Sequence, residues 1–322
     1  MQRYILLRIG TGFLTLIGVA LIVFSIMRIV PGDPALMALE QKYGEGWADF
    51  VTDEMIEMER ARMGTDQPIP TQFYDWICGL LRLDMGNSYL SGLPVRDIVA
   101  EAIPLTLQVN GLAIIIAATY GVSMGMLAAV KQYTIFDYAS RVLVIAGISM
   151  PTFFTATLVI FGLLKFFNWL PPIGLAYFWV DPAKALQQVW APSLILGYYL
   201  AAITARMTRS QMLEILREDY IRTAYSKGLA QRVVFFRHAL RNAVLPVVTI
   251  VGSSFSHVLG GSVIIESIFN INGMGLTLVE ALRGRDFIVV QDIILLIAGF
   301  VVFVNLLVDL TYAVLDPRIR YR

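Results

Sequence analysis

Long apolar runs without charged residues alternate along the chain with shorter polar segments. Such runs lie between Arg8 and Arg28, Glu101 and Lys131, Arg141 and Lys165, Lys184 and Arg206, Arg241 and Glu266, and, in a shorter version, Asp292 and Asp309. Crossing a bilayer takes about 20 mostly apolar residues. Because lipid offers no hydrogen-bond partners, the backbone there must be paired within its own segment, which favours helices. The pattern predicts an all-α membrane protein with six transmembrane helices.

Composition agrees with this class and narrows the chemistry. The chain is 57% hydrophobic and 15% charged, with a mean hydropathy of +0.69, far from the balance of a soluble domain. The single cysteine, Cys78, excludes an internal disulfide, and the two histidines, His238 and His257, have no neighbours at ligand spacing. We therefore expect no metal site, no cofactor held by this chain and no nucleic-acid partner.

Basic residues fix the predicted orientation. With the N-terminus inside, the short inner segments carry most of the lysines and arginines, as the positive-inside rule requires. Both termini are then cytoplasmic. The first apolar run is longer than the core of a signal peptide and is followed at once by Pro31-Gly-Asp-Pro34, so we expect it to remain as a transmembrane helix.

The spacing of the runs predicts four parts. Residues 1–30 form an N-terminal transmembrane helix, 31–101 an external subdomain of about 70 residues, 102–311 a transmembrane core with a cytoplasmic loop at 206–245, and 312–322 a cytoplasmic tail. In the subdomain, Thr52 is placed to cap a helix together with the amide of Met55. Apolar residues from Phe73 to Leu81 recur at helical spacing. This subdomain either packs on the helix ends or docks an extracytoplasmic partner, and the sequence does not choose.

Two spans carry residues that break a plain lipid-facing pattern. Pro151, in the run after Ser149, removes a helix hydrogen bond and should bend the third span. The fifth span is rich in small and hydroxyl residues, which let helices approach closely. Tight packing and a polar face along a translocation path both remain open, and the candidate path residues are Ser149, Pro151, Ser253, Ser256, His257, Gly260 and Gly261.

Two acids lie at span ends. Glu266, at the outer end of the fifth span, is either solvated or mechanistic. Asp309, near the inner end of the sixth, should be paired with a cytoplasmic arginine, because an aspartate in a membrane helix is costly.

The loop after the fourth span has the form of a short helix between two basic segments. Glu218 and Asp219 can cap a helix from Tyr220 to Lys227, Gly228 can end it, and a second basic helix follows before Leu245-Pro246 opens the fifth span. Such a helix could move a transmembrane bundle as a lever. It could also be only a basic loop required by topology, or a helix lying on anionic lipid.

The same residues resemble the coupling loop of the dipeptide/oligopeptide/nickel permeases of bacterial ABC importers. The general Glu-Ala-Ala motif of importer permeases is replaced by Arg222-Thr-Ala224, as in that branch, and Leu245-Pro246 comes late, as it does there. Further matches run through the chain: Pro31-Gly-Asp-Pro34, Asp84-Met-Gly-Asn-Ser88, Ser149-Met-Pro151, Arg206-Met-Thr-Arg-Ser-Gln-Met-Leu-Glu214, Asn305-Leu-Leu-Val-Asp309 and Asp316-Pro-Arg-Ile-Arg320. The likeness covers nearly the whole chain and points to the first, B-type, permease subunit.

The resemblance implies a type I importer fold: an N-terminal helix plus a five-helix core in the bacterial inner membrane. It implies a second homologous permease, two ABC ATPase subunits and a periplasmic or extracellular substrate-binding protein as partners, besides membrane lipid. ATP and Mg would be bound by the ATPases, so this chain would not be an enzyme. The implied coupling residues are Glu218, Asp219, Tyr220, Ile221, Arg222, Thr223, Ala224, Lys227 and Gly228.

The sequence does not determine which substrate is transported. A di- or oligopeptide is expected, with nickel chelates, glutathione or another small solute as alternatives within the same family. Two other classes remain as alternatives: an ion-coupled secondary transporter that uses buried acids such as Asp309 as proton sites, and a membrane scaffold or sensor subunit without transport. The chain contains no Gly-Lys dipeptide and so no phosphate-cradling loop of the Walker type.

Overall fold

The computed structural model describes residues 2–44 and 50–315, and helices account for almost all of them. Within these ranges the only β pairing is a single bridge between Asn87 and Pro94. The helices are α1 (Gln2–Ile29), α2 (Pro34–Tyr43), α3 (Asp53–Met63), α4 (Ile69–Leu81), α5 (Val95–Ile116), α6 (Val122–Val130), α7 (Ile135–Ser149), α8 (Thr152–Phe167), α9 (Pro182–Ile215), α10 (Asp219–Ser226), α11 (Gln231–Val233), α12 (Arg241–Phe269), α13 (Met274–Arg283) and α14 (Phe287–Leu315). Two π-helical segments, π1 (Ala117–Gly121) and π2 (Val234–Leu240), join α5 to α6 and α11 to α12.

Three helical stretches of the described chain are long and apolar enough to cross a membrane by themselves. They are Ile5–Ile29, Val95–Val130 and Phe287–Thr311. Two bent helix pairs, α7 with α8 and α12 with α13, raise the number to five if each pair is one span. The predicted all-α class is confirmed, whereas the count of six spans stays a prediction.

The predicted fourth span lies in α9, which is not among these stretches because its sequence is more polar. This helix is central: α5, π1, α6, α7 and α12 all pack against it. Its buried residues include Gln188, Ser193 and Thr204, and the Ser193 hydroxyl donates to the Val109 carbonyl at 2.9 Å. A helix enclosed by other helices can bond its polar side chains to them, so it needs a less apolar sequence than one facing lipid.

Glycines bring the neighbouring helices close to α9. A Cβ at Gly125 would lie 2.5 Å from the Ala205 carbonyl oxygen, and one at Gly197 would lie 2.8 Å from the Ile116 Cβ. Neither position has room for a side chain. Small residues at such crossings let backbones approach, which is how helices gain contact in lipid.

The proline in the third predicted span does more than bend it. α7 ends at Ser149, and α8 begins at Thr152 after an extended Pro151, with an angle of 101° between the two helices. The predicted bend is therefore confirmed in place, and its size makes two helices of one predicted span. A second break, of 76°, separates α12 from α13 at Asn270, which has a positive φ of 51°.

Helices α2 to α4 fill the segment after α1. The Thr52 side chain accepts from the amide of Met55 at 3.4 Å, as the sequence predicts, and the apolar periodicity around Phe73 and Trp76 falls on α4. These two aromatic rings pack on Phe24 of α1. The segment is thus a helical unit attached to α1 by its own aromatic side chains.

Polar contacts complete this attachment. Trp76 Nε1 donates to an Asp292 carboxylate oxygen at 2.7 Å. Arg28, which would reach towards headgroups if it extended from α1, instead donates to Gln72 Oε1 at 2.6 and 2.9 Å and stacks over the Phe24 ring.

Element bounds shift the predicted division at two points. α5 begins at Val95, inside the 31–101 segment, and α14 continues to Leu315, past residue 311. The division into four parts stays a prediction.

Candidate coupling helix and membrane path

α10 is a short, amphipathic helix set between the end of α9 and the start of α11. Glu218 occupies its N-cap position, but the Glu218 side chain makes no capping bond, so the predicted cap is wrong in its chemistry. Asp219 lies in the first turn, where its negative charge interacts favourably with the positive N-terminal end of the helix dipole. With only eight residues, α10 depends on tertiary contacts for its stability.

The C-terminal end of α10 is a Schellman motif around Gly228. The Gly228 amide donates to the Tyr225 carbonyl at 2.9 Å, and the Leu229 amide donates to the Ala224 carbonyl at 3.3 Å. Gly228 has a φ of +75°, the left-handed region in which glycine avoids the Cβ penalty. The predicted helix end at Gly228 is thereby explained by backbone geometry.

One face of α10 is buried in the chain itself. Ile221 is fully buried and Ala224 nearly so, in a cluster with Met212 of α9, Val234 of π2 and Ala129 of α6. These two members of the predicted coupling set therefore anchor α10 to the rest of the chain.

The opposite face of α10 is open. The exposed residues of α10 are Asp219, Tyr220, Arg222, Thr223, Tyr225 and Ser226, and Lys227, which follows the helix, is exposed as well. Arg222 and Asp219 form only a loose ion pair, at 3.4 Å. The Tyr220 hydroxyl accepts from Asn242 Nδ2 at 3.0 Å, so that ring is tied to α12. This face combines charged, phenolic and hydroxyl side chains.

The second basic helix and the fifth span are not separate. α11, π2 and α12 follow one another from Gln231 to Phe269 without a turn, because Val234 and Leu240 keep right-handed helical backbone angles. The expected start of a new helix at Leu245-Pro246 is wrong for this reason. α10 packs against π2, the middle part of this continuous stretch.

A buried carboxylate that the sequence analysis did not identify joins α7 to α9 near α10. Asp137 accepts from Arg209 at 2.7 and 2.9 Å and from Arg141 at 2.6 and 3.1 Å, and it also accepts from the Tyr133 amide. Asp137 is fully buried. The i, i+4 spacing to Arg141 was a usable signal, whereas the partner 72 residues away was not.

The candidate path residues fall in two places. Ser149 and Pro151 are exposed at the α7–α8 break, and α8 packs against α12. Gly260 is exposed with open space in front of it, while Gly261 faces Leu196 of α9. The side chains of Ser253, Ser256 and His257 lie outside the described residues. Gly252, in the same stretch, is a packing glycine, since a Cβ there would lie 2.1 Å from Val308.

Two acids at span ends have definite partners. Glu266 is fully buried and accepts from the Thr106 hydroxyl at 2.9 Å and the Gly275 amide at 2.7 Å, so it holds the α12–α13 break and is not solvated. Asp309 forms an ion pair with Arg8 at 3.1 Å, which confirms the expected arginine and identifies it on α1.

Two further acids, Asp286 and Asp292, are buried, and the sequence did not predict their burial. Asp286 accepts from the Ser88 hydroxyl and the Tyr89 amide, which ties the loop before α5 to the start of α14. Burial raises the pKa of Tyr89, and the nearby charge of Arg28 acts in the opposite direction.

Comparison with known proteins identifies the family to which this chain is similar. A family model described as the inner membrane component of binding-protein-dependent transport systems matches residues 121–321, and the model for the N-terminal part of such membrane components matches residues 1–110. A putative peptide transport system permease protein of Brucella abortus (strain 2308) is 37% identical over 321 residues, covering 100% of both chains. The dipeptide transport system permease protein DppB of Escherichia coli (strain K12) is 36% identical over 345 residues, again covering 100% of both. A probable peptide ABC transporter permease protein of Sinorhizobium fredii is 35% identical over 321 residues.

Both family models, the full-length relatives and the long apolar helices agree. The chain belongs to the family of inner membrane components of binding-protein-dependent transport systems, the permeases of ABC transporters.

Proposed function

We propose that this chain is the permease subunit of an ABC importer for di- or oligopeptides and that α10 couples it to separate ATPase subunits. The observation that carries the coupling role is the division of α10 into a buried face, formed by Ile221 and Ala224, and an open polar face. The peptide substrate is supported by full-length relatives that are named for peptides and dipeptides.

In this proposal six spans cross the inner membrane, with both termini and α10 in the cytoplasm. The basic residues of the inner segments support that orientation. The span to be added to the three long stretches and the two bent pairs is the fourth, the central helix α9, whose neighbours shield its polar side chains. Helices α2 to α4 then lie outside, where a substrate-binding protein delivers the peptide.

The functional unit contains a second, homologous permease and two ATPase subunits. ATP and Mg bind to those ATPases, because this chain has no Gly-Lys dipeptide and hence no Walker-type phosphate loop. Its own contribution is half of a membrane path, in which we place Ser149, Pro151, Gly260 and Gly261. The chain is thus a transport subunit and not an enzyme.

The coupling step follows from the anchoring of α10. An ATPase cleft seats the open face, with Arg222, Tyr220 and Lys227 in contact. When the ATPases close, force passes through Ile221 and Ala224 into α9, α6 and the rod from Gln231 to Phe269. Well-packed side chains transmit such displacements because cores are close-packed and resist compression.

The test is peptide-stimulated ATPase activity of the complex, purified with its partner subunits and reconstituted in lipid. Arg222→Glu should abolish stimulation by reversing a charge on the open face, while Lys131→Glu, a reversal on the exposed α6–α7 turn, should leave it intact. A panel of dipeptides, longer peptides and nickel chelates identifies the substrate. If no ATPase co-purifies, or if Arg222→Glu is stimulated like the wild type, the coupling role assigned to α10 is wrong.

A further inference from the structure

A cavity with a basic mouth lies between α6, α7 and α9, at the end of the bundle that carries α10. Its volume is about 370 Å³. Three arginines line it, Arg141, Arg206 and Arg209, while Met124 and Val144 are among its apolar lining residues. Neither the path nor the coupling face described above uses this space.

The cavity carries an excess of positive charge. Asp137 is the carboxylate bound by Arg141 and Arg209, so one negative charge faces two of the three guanidinium groups. The third, on Arg206, is exposed and forms no hydrogen bond or ion pair with any residue of the described ranges.

An apolar groove continues from the cavity along α6 and α7. It has a volume of about 290 Å³ and shares Met124, Ala128 and Ser140 with the basic cavity. Its other walls include Leu127, Phe136 and Leu143, all of them exposed apolar side chains. The basic cavity and the apolar groove are therefore adjacent and continuous on one face of the bundle.

We infer that this composite site binds an anionic phospholipid, with the phosphate of the headgroup in the arginine cavity and an acyl chain in the groove between α6 and α7. Guanidinium groups bind phosphate through paired, charge-assisted hydrogen bonds. Basic pockets between membrane helices on the cytoplasmic side are suited to anionic headgroups. Because the arginine cavity opens into the apolar groove, the site favours a lipid over a free anion, since only a lipid can fill the cavity and the groove together. The inference needs the chain to lie in a membrane but does not depend on what is transported.

The proposed lipid site lies beside the ion pairs that join α7 to α9. Arg141 and Arg209 belong both to this cavity and to the Asp137 ion pairs that join α7 to α9. A phosphate beside them satisfies donors that Asp137 alone leaves in excess. A bound anionic lipid should therefore stiffen the α7–α9 contact next to the coupling helix.

The experiment measures lipid retention by the assembled transporter in native mass spectrometry, after exchange into detergent with defined amounts of phosphatidylglycerol or phosphatidylcholine. Arg206→Ala removes a headgroup charge without touching the Asp137 ion pairs. Ala139→Trp fills the groove without altering charge, since Ala139 is an exposed groove residue. Arg217→Ala, at an exposed position outside the cavity, is the matched control.

The wild type should retain phosphatidylglycerol in preference to phosphatidylcholine. Arg206→Ala should weaken that retention by about fivefold, as expected for one basic residue near an anionic headgroup. Ala139→Trp should weaken it as well, and Arg217→Ala should match the wild type. Equal retention of the two lipids, or no effect of either cavity variant, overturns the inference. So does displacement of the lipid by millimolar inorganic phosphate, which would indicate a free-anion site, and the absence of lipid from the assembled complex, which would indicate that the second permease covers this face.

Discussion

Substitutions at Gly228 should uncouple peptide stimulation from ATP hydrolysis in an order set by backbone strain. The residue has a φ of +75°, and a Cβ built on it meets no atom within 4 Å. Steric contact is therefore not the cost. The left-handed conformation costs a residue with a Cβ roughly 1–2 kcal/mol, less for asparagine and more for a β-branched residue.

A cost of that size is large for α10, because an isolated helix of eight residues is unstable. Roughly 1–2 kcal/mol changes a local equilibrium by about 5–30-fold. The fraction of α10 that is docked with a complete Schellman end should fall accordingly. We expect peptide-stimulated ATPase activity to decline in the order Gly228, Gly228→Asn, Gly228→Ala, Gly228→Val, with insertion and complex assembly unchanged.

The assay is stimulated ATPase activity and peptide uptake in proteoliposomes that contain the whole complex. Gly174 provides a matched control, since it too has a positive φ, of +98°, and open space in front of its Cα, yet it lies in the loop between α8 and α9. Gly174→Ala should keep full stimulation. Equal activity of Gly228→Val and the wild type would refute the strain argument, and equal loss in Gly228→Asn and Gly228→Val would show that the partner contacts the glycine backbone directly.

Three further changes test other contacts of the fold. Asp137→Asn should loosen α7 from α9 because two guanidinium groups lose a shared carboxylate, and hydrogen exchange of α7 amides should become faster; unchanged exchange would contradict this. Gly125→Leu should prevent assembly because no side chain fits against α9, whereas Gly111→Leu, with open space, should assemble normally, as size-exclusion chromatography would show. Trp76→Phe keeps the ring but leaves buried Asp292 without its donor, so thermal unfolding should show a loss of about 1–3 kcal/mol, and an unshifted transition would be inconsistent with that bond.

Local features of the fold could be predicted from the sequence because they depend on neighbouring residues. The Thr52 cap, the helix around Trp76, the break at Pro151 and the end of α10 at Gly228 each follow from side-chain chemistry within one or two turns. The acid at Asp309 was also recognised as needing an arginine, from its cost in lipid.

Contacts between distant helices could not be predicted in the same way. The partner of Asp309 is Arg8 on the first helix, and Asp137 binds Arg209 across 72 residues. Such pairs depend on which helices cross and at what height, and one sequence contains no record of that. The continuity of the rod from Gln231 to Phe269 was missed for a related reason, since the change from polar to apolar sequence at its middle looks like an element boundary.

The contact between α1 and α14 bears on how the protein is made. Gly12 lies so close to α14 that a Cβ there would be 2.8 Å from Val302, and Arg8 reaches Asp309 in the same pair of helices. Synthesis runs from the N-terminus, so α1 is made long before α14 and can meet it only once α14 has emerged. Docking of α1 on α14 is thus a late step of biogenesis, and until then the contact face of α1 around Gly12 stays uncovered.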